Sequence, residues 1–166
     1  AARARLLEEM TQNRPSGSAP SPGWLRDLLK TPEDGRAKLY LAWQALSLRR
    51  EFPAWFLEGG YVPLNAEGAK SDHLCAFART WRDQAIVSVA PRWFSRLMSD
   101  RHPDPLGPPV WADTWVEAPQ VGQDYINVLT GEPVVTAQRE GNLYFSAGTL
   151  FSNFPVVLLK PKLISL

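Results

Sequence analysis

A chain of 166 residues with 45% apolar side chains and seven tryptophans can bury a core, which excludes general disorder. The formal net charge of +1 gives no overall field to draw nucleic acid or an anionic membrane, and no apolar run of about 18 residues is present to span a bilayer. Cys75 is the only cysteine, so an internal disulfide is excluded and a cytoplasmic setting is expected, while fifteen prolines favour a loop-rich, mostly β body.

In chain order, Ala1 to Met10 is rich in helix formers, with Leu6 and Leu7 its sizeable apolar side chains, so this helix needs a neighbour to lean on. Residues 11–23 are rich in Pro, Ser and Gly and are expected to be a mobile linker. Trp24 to Lys30 offers Trp24, Leu25, Leu28 and Leu29 on one side of a short helix. Thr31-Pro32-Glu33-Asp34 then carries helix-start chemistry: a hydroxyl cap, an early proline and two acids at the positive helix end. The helix this predicts, Arg36 to Arg50, carries two apolar strips, Leu39/Trp43/Leu46 and Leu41/Ala45/Leu48. Such a band is wider than one small partner requires. Phe52-Pro53 ends it, and Ala54 to Leu57 makes one more turn.

From Tyr61 the period becomes two. Tyr61 to Leu64 reads as extended, with Pro63 pointing to an edge position or a strand start. His73 to Arg79 and Gln84 to Ala90 read as a hairpin whose second arm is buried on both sides, and Pro91 to Met98 as a short helix or an irregular cover. Ser99 to Pro109 is a proline-rich loop. Val110 to Glu117 alternates, which predicts a strand with Trp111, Asp113, Trp115 and Glu117 on one face. Further strands are expected at Tyr125–Leu129, Val134–Gln138, Leu143–Phe145 and Pro155–Leu159, separated by turns at Thr130-Gly131-Glu132 and Gly141-Asn142. Seven or eight short strands with turn punctuation predict an antiparallel β-sandwich.

Six segments carry a resemblance in one order: DGRAKLYL, LRREFPAWFLEGGYVPL, GAKSDHLCAFAR, VWADTWVEAP, NVLTGE and FPVVLL. Together they resemble the last barrel helix and the following strands of the α-amylase superfamily of glycosidases, and within it the maltooligosyl trehalose synthase family, from about Asp34 to Leu159. The resemblance implies an α+β fold in which residues 1–57 are helices from the tail of a (β/α)8 barrel. Residues 58–166 would be the antiparallel β-sandwich that forms an amylase-type C-terminal domain. It implies a missing N-terminal catalytic barrel as the partner and a maltooligosaccharide as the substrate of the intact enzyme. That enzyme would turn a reducing-end α-1,4 bond into an α,α-1,1 bond by intramolecular transglycosylation.

The chemistry of such an enzyme needs two carboxyl groups roughly 5–5.5 Å apart. In the resembled family they lie on barrel strands upstream, and no catalytic residue is assigned here. Glu8-Glu9 and Glu33-Asp34 read as helix or solvated-face charges. His73 and His102 lack partners at metal-ligand spacing, Cys75 reads as a small hydrophobe, and no glycine-rich phosphate loop is present. No metal or cofactor site is therefore expected. One group could contact sugar: Trp111 and Trp115 as indole platforms, with Asp113 and Glu117 accepting hydroxyls. Large aromatics of a sandwich usually fill its core, and that reading is set above the platform. Two other classes stay open, a free-standing carbohydrate-binding sandwich and an interaction domain. The second includes a homodimer formed through the 36–50 helix.

Overall fold

The computed structural model describes residues 2–12, 19–98, 104–120 and 124–162. Residues 13–18 of the expected linker, 99–103 of the expected loop, and with them His102, lie outside the described residues. Four helices come first: α1 (Ala2–Gln12), α2 (Pro22–Leu29), α3 (Arg36–Glu51) and α4 (Pro53–Leu57). Helix therefore takes both ends of the stretch 11–23 that composition marks as linker. Single-turn helices α5 (Phe94–Leu97), α6 (Pro108–Trp111) and α7 (Ala147–Leu150) interrupt the strands.

Ten strands follow among the described residues: β1 (Gly60–Pro63), β2 (Ala66–Glu67), β3 (Leu74–Trp81), β4 (Gln84–Pro91), β5 (Trp115–Glu117), β6 (Asp124–Asn127), β7 (Pro133–Val135), β8 (Ala137–Arg139), β9 (Asn142–Ser146) and β10 (Val157–Pro161). They form a six-stranded sheet, β1-β3-β4-β10-β6-β7, and a four-stranded sheet, β2-β5-β9-β8. Every pairing is antiparallel. The fold class is α+β, as the sequence implies.

β1 is an edge strand, so Pro63 at its end removes no ladder bond from a central position. β4 sits inside the sheet and is buried on both sides, which its continuous apolar run requires. Ala85, Val87 and Val89 join Val116 and Phe145 of the other sheet in one apolar cluster, and Ile86 points to a second cluster with the helices. In that second cluster Leu25, Leu28, Tyr40 and Leu48 cover Ile86, Phe154 and Leu158. Each such buried side chain contributes about 1.5–3 kcal/mol by leaving water. The helices and the sheet therefore share a core across residues 57 and 58.

Three local expectations are corrected. The turn Pro32–Asp34 is a separate 3-10 helix, because Gly35 adopts φ 75° and stops it before α3 begins. Asp34 still serves α3 as a cap: its carboxylate accepts the Arg36 backbone N–H at 2.8 Å and the Arg36 Nε–H at 2.6 Å. On α3 the inward strip is Tyr40, Gln44 and Leu48, so of the two strips that periodicity picks out only Leu48 is fully buried, and Leu46 is 65% exposed. The Tyr40 hydroxyl fixes this rotation by donating to the Leu129 carbonyl at 2.6 Å. The expected strand at 134–138 is two strands. The chain leaves the larger sheet after Val135 and enters the smaller one at Ala137.

Candidate functional site

Residues 110–117 do not form one strand. Gly107-Pro108-Pro109 opens α6, proline at the first helical positions being preorganised for it, and α6 carries Trp111. Ala112 then turns the backbone at φ 45°, and only Trp115 to Glu117 is extended. Trp111 is wholly buried, stacked on Phe151 at 4.7 Å, and its Nε1–H donates to the Pro105 carbonyl at 2.9 Å. It fills the core. Asp113 is exposed, and its Oδ1 accepts the Ala69 backbone N–H at 3.3 Å. The four residues expected to share a face are thus divided, with Trp115 and Glu117 alone remaining on one strand face.

That face belongs to the smaller sheet. Its register sets Glu67 opposite Trp115 and Tyr144 opposite Glu117. The Tyr144 hydroxyl donates to Glu67 Oε1 at 2.9 Å, and Asn65 Nδ2 donates to Glu117 Oε2 at 3.1 Å. The hydrogen bond to the Glu67 carboxylate is the first cause holding the Tyr144 hydroxyl above its usual pKa, since losing its proton would break that bond. Arg139 lies over the Trp115 ring at 4.5 Å and 5.7 Å from the centre of the Tyr144 ring. A cation therefore covers one indole face. Sequence reasoning missed Glu67, Tyr144 and Arg139. The signal for Arg139 and Tyr144 was the Glu140-Gly141 turn, both residues at positive φ, which makes β8 and β9 a hairpin.

The remaining candidates are separate. His73 ends a 3-10 turn ahead of β3 rather than lying in the strand, with Nδ1 3.2 Å from the Arg92 carbonyl oxygen. Cys75 is exposed. Glu9 pairs with Arg5 at 3.1 Å on the surface of α1. Among the described residues no three His, Cys, Asp or Glu side chains converge on a metal position. No helix of the described residues is long and apolar enough to cross a membrane.

The seam between helices and sheet is the more strongly built feature. Arg79 on β3 donates through Nε to the Trp55 carbonyl at 3.0 Å and through Nη2 to the Phe56 carbonyl at 3.0 Å. Those carbonyls are at the negative end of α4, where a cation is favoured. Lys160 of β10 meets Glu51 of α3 at 2.9 Å. On the other side of α3, Leu39, Trp43 and Leu46 line an open groove of about 430 Å³ with Leu7 of α1.

Fold and seam together define an α+β unit in which a helical segment is fastened to antiparallel sheets. No protein-family model matches the chain. Two curated relatives, the putative maltooligosyl trehalose synthases of two Mycobacterium tuberculosis strains, are each 34% identical over 137 residues. These cover 82% of this chain and 15% of each relative. The structure of a mutant maltooligosyltrehalose synthase from Arthrobacter ramosus matches with a TM-score of 0.63 at 25% identity, over 96% of this chain and 16% of that one. A second structure of the Arthrobacter ramosus protein matches in fold, with a TM-score of 0.62 and 24% identity. This chain is related to the maltooligosyl trehalose synthases and spans about 15% of their length.

Proposed function

We propose that this chain is the C-terminal structural domain of a longer enzyme that acts on maltooligosaccharides. The whole protein opens the reducing-end α-1,4 bond, turns the freed glucose in place and rejoins it through an α,α-1,1 bond, an isomerisation that gives a trehalose end. Its catalytic carboxylates lie in a (β/α)8 barrel outside these residues. On this reading α1 to α4 are the tail of that barrel, and the two sheets are the sandwich that closes it. The 137-residue match at 34% identity, confined to 15% of each relative, carries the proposal.

The open side of α3 fits the same reading. Leu39, Trp43 and Leu46 line an open groove in which Leu46 is 65% exposed, and the absent barrel is assigned as its cover in preference to a second copy. The domain would then stabilise the barrel and help exclude water while the glucose turns. A cytoplasmic setting belongs to this reading, with Cys75 free.

Maltopentaose is the test substrate, given to this chain alone and to the longer protein, with appearance of a non-reducing product as the readout. Conversion by the longer protein only is the expected result. Conversion by the 166 residues unaided would overturn the assignment of the catalytic groups elsewhere. Conversion by neither would overturn the activity.

A further inference from the structure

Trp81-Arg82-Asp83-Gln84 closes the β3–β4 hairpin, with Trp81 paired to Gln84. Opposite it, α4 brings Trp55, so that two indoles, a guanidinium, a carboxylate and an amide line one cleft of about 430 Å³. That size is within the roughly 300–1,000 Å³ of small-molecule sites.

The walls are held from behind. Arg79 grips the Trp55 and Phe56 carbonyls, and the Phe52 ring meets Trp55 edge-on at 5.0 Å. Gly59 lets α4 lie directly on β3, because a Cβ there would collide with the carbonyl oxygens of Trp55 and Thr80. The Trp55 indole N–H is buried and meets no acceptor. Arg82 stands at φ 53°, a left-handed conformation that glycine would adopt without strain, yet an arginine occupies the turn. No hydrogen bond or ion pair within the described residues engages the side chains of Arg82, Asp83 or Gln84.

The lining selects a ligand class. One positive and one negative group leave the cleft without net charge, which suits neither a phosphate nor a polycation. Indole planes offer apolar contact to a flat, C–H-bearing face. Guanidinium, carboxylate and amide together donate to and accept from neighbouring hydroxyls. A neutral molecule with apolar ring faces and a hydroxyl edge satisfies all three conditions. We infer that the Trp55–Trp81 cleft is a saccharide-binding site. Its assignment to linear α-1,4-glucans rests on the function proposed above.

Maltoheptaose titrated into this chain, followed by intrinsic tryptophan fluorescence and by the indole N–H signals in NMR, tests the site. Saturable binding in the millimolar range or tighter is expected. Trp81→Ala should abolish it. Arg82→Gly removes the guanidinium while relieving the turn, and should weaken binding about tenfold with the thermal midpoint unchanged or raised. Trp115→Ala should leave binding unchanged. Absence of saturable binding, or equal affinity in a folded Arg82→Gly variant, would overturn the site. The two proposals fail separately: conversion of maltopentaose by the longer protein without binding here rejects only the cleft. Binding here without that conversion rejects only the enzymatic reading.

Discussion

The Arg79 guanidinium and the Trp55 carbonyl oxygen lie 3.0 Å apart, and a second N–H of the same fork reaches Phe56 at 3.0 Å. One side chain of the sheet thus closes the end of the helical segment. Arg79→Ala should cost about 1.5–3 kcal/mol, because a charged donor is lost and two carbonyls at a half-buried helix end go unanswered. Arg79→Lys should recover less than half, since an ammonium cannot present two parallel donors. Urea unfolding measures both. A change below about 0.5 kcal/mol in Arg79→Ala would mean that packing alone holds the seam.

Trp111 and Trp115 occupy different environments, and their truncation should separate them. Trp111→Ala removes a wholly buried ring stacked on Phe151 and should cost about 3–5 kcal/mol. Trp115→Ala removes a half-buried ring and its contact with Arg139, for about 1 kcal/mol. Equal costs in denaturant unfolding would contradict the placement of Trp111 in the core.

Much of this arrangement was legible in the residues. Phe52-Pro53 stops α3, and the arms of the β3–β4 hairpin follow from their alternation and apolar content. Residues 110–117 misled because apolar and polar side chains alternate through a helical turn and a left-handed Ala112. Gly107-Pro108-Pro109 was the better signal. On α3 the apolar band was too broad to say which strip turns inward, and the choice came from Tyr40, whose acceptor lies 89 residues away. Of the Trp115 cluster, Trp115 and Glu117 were visible on one strand. Tyr144 and Glu67 are 77 residues apart and meet only through sheet register.

Leu46 offers a test of what covers α3. It is 65% exposed in a groove with Leu39 and Trp43, so Leu46→Glu should change the stability of this chain by no more than about 0.5 kcal/mol. In the longer protein the same charge would be buried against the barrel and should lower both thermal midpoint and yield. An unaffected longer protein would assign the groove to solvent.

Alkaline pH should weaken the fold through Tyr125. This residue is 1% exposed, and its burial pushes the hydroxyl up to about 12, against about 10 in an unfolded chain. The folded state therefore holds its proton where the unfolded state has lost it. The contribution is fully present below about pH 10 and declines as pH rises towards 12, with a slope of at most about 1.4 kcal/mol per pH unit. Tyr125→Phe has no such proton to lose. Its unfolding free energy, compared with that of the parent chain from about pH 9 to 11.5, should change so that the difference between the two narrows or reverses in the variant's favour as pH rises. Parallel profiles would mean that the Tyr125 hydroxyl ionises as readily in the folded chain as in the unfolded one.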